Sequence, residues 1–125
     1  MSKLLIVDDE KKIRDIYRRR LSAEGFEIVE AENGEEATLI LIQDKGIDLF
    51  LLDIRMPVID GASFFDAARL YNPGAKIIVS SVYPLSDQIR MIEGADDYFD
   101  KSEGMDILVE KIRSVLRLKT GVKRE

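Results

Sequence analysis

The sequence predicts an α/β fold: a doubly wound, five-stranded parallel sheet with helices on both faces. Five short apolar runs alternate with five segments of helical periodicity, and short connections join them. Such alternation is typical of parallel strands joined by right-handed crossovers. The third run is almost wholly apolar, which indicates a central strand covered on both faces. With 125 residues, we expect residues 1–125 to form one domain.

Composition and charge exclude several kinds of site. The chain contains neither Cys nor His, which rules out disulfides, thiolate nucleophiles, Ser-His triads and zinc sites built on those ligands. Any metal must then be a hard cation held by oxygen. The net charge of −5 argues against direct nucleic-acid binding. Because no segment approaches membrane-spanning length and no signal-peptide plan is present, we expect a cytoplasmic protein without membrane contact.

The first two strand-and-helix repeats are indicated by apolar runs and helix-boundary residues. Lys3–Val7 predicts the first strand, and Gly25 marks the end of the following helix. The second strand is expected at Phe26–Val29, and Asn33 is the expected N-cap of the second helix, with Glu36 three residues on. Helical spacing predicts the apolar stripes of these helices: Ile13, Ile16, Tyr17 and Leu21 in the first, and Ala37, Ile40 and Leu41 in the second.

The third strand ends at a carboxylate. The run Asp48–Leu52 leads into Asp53, and Pro57 ends regular pairing because it has no N–H. Ligand sites in open α/β sheets lie beyond the carboxyl ends of the strands, which is where Asp53 falls. This stretch alone leaves two interpretations open, a reactive carboxylate or a simple turn cap. Gly61 then precedes a helix that runs to about Tyr71.

The last two repeats complete the predicted sheet. Lys76–Ser81 predicts the fourth strand, and a short helix ending at Gly94 follows it. Ala95–Phe99 is a more polar strand whose charges suit a sheet edge. The final helix is expected to begin at about Met105 and to fray over residues 119–125. The predicted inward residues are Leu85, Ile89 and Ile92 in the fourth helix, and Leu108, Ile112, Val115 and Leu116 in the fifth.

Polar groups follow four of these strands, and the carboxyl ends of parallel strands share one sheet edge. Crowded carboxylates at about 4 Å repel by roughly 1 kcal/mol in water and roughly 4 kcal/mol at an effective dielectric of 20. An oxygen-lined site that keeps several waters suits Mg²⁺, which relieves this repulsion. A carboxylate nucleophile could then attack phosphorus, assisted by a lysine and a hydroxyl. The groups concerned are Asp8 and Asp9, Asp53, Ser80 or Ser81, and Lys101.

Each of these groups alone has a purely structural explanation, as a turn cap, a solvated lysine or a structural serine, but together they resemble one family. They resemble the receiver domains of two-component response regulators over nearly the whole chain. That family implies a flavodoxin-like sheet in the order 2-1-3-4-5, and a signalling domain whose only chemistry is self-catalysed phosphoryl transfer and hydrolysis. The matching segments are Leu5–Glu10, Leu51–Pro57 with Asp60 and Gly61, Ile77–Ser81, and Gly94–Tyr98 leading to Lys101.

The resemblance implies a phosphoacceptor and a metal site. Asp53 would take a phosphoryl group from a sensor histidine kinase or a histidine phosphotransfer protein. Asp8 and Asp9 would bind Mg²⁺, with Asp53 and the backbone carbonyl of Arg55 contributing to its coordination. Lys101 would hold the acyl phosphate.

The resemblance also implies switch and tuning residues. Ser81 matches the hydroxyl that moves toward the phosphate, and Ser80 remains the alternative. Tyr98 matches the aromatic residue whose rotamer follows that movement. Arg55 and Tyr83 would flank the acyl phosphate and tune its hydrolysis, in a direction that the sequence does not give.

Three features depart from the family pattern. Ser102 follows Lys101 where the family often has proline, and it is a candidate cap for the final helix. Asp100 stands where an apolar residue is common, and its charge is expected to weaken the hold of Lys101 on phosphate. The segment Ser81–Gly94 is about two residues short, so we expect an abbreviated or shifted fourth helix.

The expected partners follow from the same resemblance. The first helix around Ile13, Arg14 and Tyr17 would dock the kinase. The fourth helix, fifth strand and fifth helix would contact a downstream protein or a fused output domain, and a homodimer stays open. Since nothing after Lys119 is long enough for an output domain, we expect a stand-alone receiver or one cut from a longer regulator, with residues 119–125 as a frayed tail or linker stub.

Three alternative functions fit the sequence less well. A receiver-like interaction module that works without phosphorylation is disfavoured by the complete acidic set and Lys101. A phosphohydrolase of the haloacid dehalogenase type would have a second Asp where this chain has Arg55. A nucleotide- or flavin-binding protein is disfavoured because neither a G-x-G-x-x-G run nor a P-loop occurs.

Overall fold

A computed structural model describes residues 1–54 and 61–118. Five parallel strands form one sheet in the order β2-β1-β3-β4-β5, which confirms the predicted fold class and strand order. Predictions for Arg55, Pro57 and Asp60, and for the tail 119–125, lie outside the described residues. The elements are β1 (Lys3–Val7), α1 (Lys11–Ala23), β2 (Glu27–Ala31), α2 (Gly34–Gln43), β3 (Leu49–Leu52), α3 (Gly61–Tyr71), β4 (Lys76–Ser81), α4 (Leu85–Met91), β5 (Asp97–Asp100) and α5 (Met105–Val115).

The sheet separates two apolar layers, because successive side chains of a strand point to opposite faces. On one face, strand residues such as Leu4 and Leu51 pack against Leu21 of α1 and Leu108 of α5. On the other face, strand residues including Phe50 pack with α2 and α3, and the rings of Phe50 and Phe64 meet edge to face at 5.6 Å. Burying one such side chain fully stabilises the fold by about 1.5–3 kcal/mol.

Strand register brings the carboxyl ends of β1, β3, β4 and β5 to the same edge of the sheet. Val7 pairs with Leu52, and Leu52 pairs with Val79. Backbone hydrogen bonds continue the ladder one residue past the strands: Asp53 N donates to Val7 O at 3.0 Å, and Lys101 N donates to Ser81 O at 2.8 Å. The sheet therefore fixes the backbones from which the candidate site residues project.

Several predicted boundaries are confirmed by local chemistry. The side chain of Asn33 accepts a hydrogen bond from Glu36 N at 2.8 Å, as expected of an N-cap. Gly25 follows the C-cap of α1 with φ +97°, a conformation that L side chains rarely adopt. The fourth helix is short, as expected, with seven residues. No helix among the described residues is long and apolar enough to cross a membrane.

Other predictions are wrong at particular residues. Ile16 and Ile89 are about half exposed instead of facing inward, and the buried position of α4 is Gln88. The second strand runs over Glu27–Ala31 rather than Phe26–Val29, and the fifth over Asp97–Asp100 rather than Ala95–Phe99. Ser102 does not cap α5; the N-cap is Gly104, which has no side chain to offer.

Candidate functional site

Lys101 lies between the carboxylates of Asp8 and Asp53 at the carboxyl edge of the sheet. Its Nζ is 2.7 Å from Asp8 Oδ2 and 3.4 Å from Asp53 Oδ2. All three side chains are nearly buried, with exposed fractions of 9%, 2% and 6% for Lys101, Asp8 and Asp53. Charges removed from water to this degree need oppositely charged partners. The three residues predicted from separate strand ends therefore meet in one ion-paired group.

The electrostatics of this group keep the lysine charged. Burial by itself lowers the pKa of Lys101, but the hydrogen bond to Asp8 and the charges of Asp53 and Asp8 outweigh it and raise the pKa above its ordinary value. The ammonium is thus a fixed positive charge beside the Asp53 carboxylate. Such a charge favours the approach of an anion to Asp53.

An acidic cluster follows β1 directly. Asp8, Asp9 and Glu10 each offer a carboxylate oxygen, and these oxygens lie within 4.8 Å of one another. Asp8 Oδ1 accepts a hydrogen bond from Glu10 N at 2.9 Å, which shapes the turn. Oxygen donors without nitrogen or sulfur suit a hard divalent cation. Among the described residues Asp53 is not part of this cluster, and Glu10 is a member that the sequence had not singled out.

The two serines at the end of β4 face different surroundings. Ser80 Oγ is 3.0 Å from the hydroxyl of Tyr17, on the α1 side of the sheet. Ser81 Oγ accepts a hydrogen bond from Tyr83 N at 3.2 Å, within the connection to α4. Both serines are buried. Burial raises the pKa of the Tyr17 phenol above its ordinary value.

Tyr83 precedes α4 in the chain, and Tyr98 follows it and contacts its C-terminal end. Tyr98 OH donates to Ile92 O at 2.6 Å and accepts from Ala95 N at 3.3 Å, and its half-buried ring packs against Val79 and Ile92. Tyr83 immediately precedes Pro84, the N-cap of α4. The predicted tuning residue Tyr83 and the predicted switch residue Tyr98 thus flank the same short helix.

Asp100 directs its charge toward Ser102. Its Oδ1 accepts hydrogen bonds from Ser102 N at 2.9 Å and Ser102 Oγ at 2.8 Å. The backbone bond and then the hydroxyl bond lower the pKa of Asp100. Lys101, the next residue, turns its ammonium to Asp8 and Asp53 instead. A weaker hold of Lys101 on phosphate remains a prediction.

Comparison with known proteins gives one consistent family. A family model described as "Response regulator receiver domain" matches residues 4–113. A "Probable transcriptional regulator ycf27" of Porphyra purpurea is 40% identical over 116 residues, which are 92% of this chain and 47% of that protein. The "Transcriptional regulatory protein CpxR" of Escherichia coli K12 is 36% identical over 118 residues, which are 94% of this chain and 50% of that protein. The chain thus spans about half the length of these relatives.

Solved structures of similar chains agree with this result. A CheY-like response regulator receiver domain protein from Methanospirillum hungatei JF-1 superposes with a TM-score of 0.85 at 30% identity, covering 94% of each chain. The response regulator TrrA of Thermotoga maritima, solved in complex with Mg²⁺-BeF, gives a TM-score of 0.82 at 38% identity. That match covers 92% of this chain and 99% of the other.

Proposed function

This chain belongs to the family of response regulator receiver domains, and on that premise we propose that Asp53 accepts a phosphoryl group in a Mg²⁺-dependent reaction. The donor is a sensor histidine kinase or a histidine phosphotransfer protein. Residues 1–125 act as one receiver domain in the cytoplasm, as expected from the sequence. The observation that carries the proposal is the Lys101 ammonium, held between Asp8 and Asp53.

The proposed reaction is a direct displacement at phosphorus. A carboxylate oxygen of Asp53 forms the new P–O bond as the P–N bond to the donor imidazole breaks, and the imidazole leaves with the bond's electron pair. Lys101 neutralises charge on the phosphoryl oxygens. The Asp8, Asp9 and Glu10 oxygens fit a hard cation, and Mg²⁺ bound there, also through Asp53 and the Arg55 carbonyl, would supply further charge neutralisation. Attack by water on phosphorus would break the P–O bond to Asp53, release inorganic phosphate and regenerate the carboxylate.

Phosphorylation is proposed to work as a two-state switch. The Ser81 hydroxyl leaves Tyr83 N and reaches the phosphoryl group, and Tyr98 follows by changing its rotamer. Ser80 is the less suitable hydroxyl because it is held at 3.0 Å by Tyr17 on the α1 side. Tyr83 and Arg55 tune hydrolysis of the acyl phosphate.

Partner surfaces are part of the same proposal. The α1 face around Ile13 and Arg14 docks the phosphodonor; Tyr17, which the sequence assigned to that face, is buried with Ser80 and cannot contact a partner directly. The face formed by α4, β5 and α5 contacts a downstream protein, a fused output domain or a second copy of the chain. The relatives it matches are about twice as long, which supports a fused output domain.

The test is intact-protein mass after incubation with Mg²⁺ and acetyl phosphate. We expect one added phosphoryl group in the wild type and in Asp100→Asn, the matched control at the same sheet edge. The addition should disappear in Asp53→Ala and in wild type treated with a chelator. If neither acetyl phosphate nor a phosphorylated histidine kinase modifies the folded protein, the result contradicts the proposal and favours an interaction module that works without phosphorylation.

A further inference from the structure

Gln88 is a fully buried amide inside the short helix α4. Its Nε2 donates to Tyr83 O at 2.7 Å and to Phe99 O at 3.0 Å, and it lies 3.5 Å from Ser81 O. Its Oε1 has no hydrogen-bond partner within the described part of the chain. A buried amide is costly unless it is hydrogen-bonded. The donated bonds therefore tie α4 both to the loop before it and to β5.

Tyr83 is held through both of its backbone polar groups. Its N–H donates to Ser81 Oγ at 3.2 Å, and its carbonyl accepts from Gln88 Nε2. The first bond uses the hydroxyl that the proposed switch needs at the phosphoryl group. Ser81 therefore gives up its bond to Tyr83 N–H when it turns toward the phosphoryl group, and the bond from Gln88 resists the displacement of the loop that accompanies this turn.

The second acceptor of Gln88 connects this loop to the strand that carries the aromatic switch. Phe99 stands between Tyr98 and Asp100 in β5, directly opposite Ser80 of β4. At the other end of α4, Tyr98 OH donates to Ile92 O at 2.6 Å. The same helix is thus bonded at one end to the Ser81 loop and at the other to Tyr98.

We propose that Gln88 is a positioning residue whose buried amide holds the loop after β4 in the arrangement adopted without a phosphoryl group. The inference rests on the proposed function and adds a restraint on it. Movement of Ser81 toward Asp53 displaces Tyr83, and this displacement breaks the bond from Gln88 to Tyr83 O. Gln88 thereby biases the equilibrium toward the resting arrangement. The contacts of the bound phosphoryl group must offset the free energy of the Gln88–Tyr83 bond, which the switched arrangement lacks.

The first arm of the test uses the protein without ligand. Gln88→Met keeps the length of the side chain and removes both donors. Gln88→Asn keeps an amide, but its side chain is too short to reach Tyr83 O and Phe99 O. It replaces Gln88→Met in the test if the Met variant does not fold. Because Tyr83 loses its carbonyl tether, we expect its backbone amide to exchange about tenfold faster in either variant. The control Leu41→Ala is a core substitution in α2 on the other sheet face. It should speed the exchange of the Tyr83 amide by no more than its loss of global stability accounts for.

The second arm measures coupling to the site with Mg²⁺ and beryllofluoride, a phosphoryl mimic. Gln88→Met should bind the mimic at least about fivefold more tightly than wild type, because the free energy of one hydrogen bond no longer opposes the switch. Leu41→Ala should bind as wild type does. In a Ser81→Ala background the effect of Gln88→Met should fall below about twofold, since the displacement starts at Ser81. In the wild type, the Gln88 side-chain amide protons should lose protection when the mimic binds.

The outcomes separate this inference from the proposed function. If wild type binds beryllofluoride but Gln88→Met and Gln88→Asn bind it equally well or more weakly, the role of Gln88 is overturned and the proposed function stands. If wild type binds no beryllofluoride and takes no phosphoryl group, the proposed function fails and takes the coupling with it. Unchanged Tyr83 exchange in folded Gln88 variants would overturn the tether by itself.

Discussion

Tyr17 and Ser80 form a buried polar pair between an apolar layer and the charged group of Lys101, Asp8 and Asp53. Their hydroxyl oxygens are 3.0 Å apart, and both residues are almost wholly inaccessible to solvent. The layer around them consists of residues such as Leu21, Ile78 and Leu108. A hydroxyl in such surroundings is tolerated because its partner satisfies it, so the two residues depend on each other.

This dependence predicts a non-additive pair of substitutions. Tyr17→Phe should lower the free energy of unfolding by about 1–3 kcal/mol, because it leaves Ser80 Oγ buried without its partner. Adding Ser80→Ala should recover much of that loss, since neither polar group then remains. Urea unfolding followed by circular dichroism measures both effects. A double variant whose loss equals the sum of the two single losses would contradict the pairing.

At the residue scale, the sequence predicted which side chains meet wherever the course of the strands alone brings them together. Asp8, Asp53 and Lys101 were expected to meet because parallel strands deliver their carboxyl ends to one edge, and the ion pairs show that they do. Gln88 was missed because hydrophobic periodicity assigns a polar residue to the surface. Only the three-dimensional arrangement reveals the carbonyls that satisfy its amide. Glu10 was likewise missed, because the sequence does not show that its carboxylate lies beside those of Asp8 and Asp9.

At the scale of elements, charged side chains link α1 to α5. Glu24, the C-cap of α1, accepts hydrogen bonds from Arg20 Nε at 3.1 Å and from Arg113 Nη2 at 3.2 Å. Arg113 also lies over the ring of Phe26, 5.2 Å from its centroid. These contacts join the end of one helix to the end of another across the loop before β2.

The link should give the fold an acid-sensitive contribution to stability. The hydrogen bonds from Arg113 and then Arg20 lower the pKa of Glu24. A carboxyl with a lowered pKa in the folded state stabilises above its unfolded pKa of about 4.3 and loses that contribution as the pH falls through the folded value. Glu24→Gln should therefore be less stable than wild type at pH 6–7, and the difference should shrink below about pH 4. Urea midpoints measured from pH 3 to 7 would detect it, and a pH-independent difference would refute it.

Element boundaries were predictable where local chemistry decides them. Lys76–Ser81 has the predicted bounds, because an apolar run is flanked by a turn and ends in small polar residues. The fifth strand begins two residues later than predicted, at Asp97. There Ala95 N donates to Tyr98 OH and Asp96 caps the start of β4 through Ile77 N, so these residues serve side-chain contacts before the ladder begins. A helix of seven residues also has too few turns for its apolar spacing to fix a buried face, which explains the error at Ile89.

At the scale of the whole molecule, the site exists only in the folded chain. Lys101 is 93 residues from Asp8 and 48 from Asp53 in sequence, so the unfolded chain does not hold them together. The folded state concentrates carboxylates at one edge of a sheet in a chain whose net charge is −5. A cation that binds this edge binds the folded state preferentially, and folding and binding are then linked.

The linkage predicts that Mg²⁺ stabilises the whole domain. At a Mg²⁺ concentration of about 100 times the dissociation constant, the free energy of unfolding should rise by about 2.7 kcal/mol. Urea unfolding with and without MgCl₂ measures the rise, with NaCl of equal ionic strength as the control for screening. The variant Asp8→Asn with Asp9→Asn should lose the response, because it removes the charges that hold the cation at the end of β1. An equal response to NaCl, or an undiminished response in that variant, would place the effect of Mg²⁺ outside the acidic cluster.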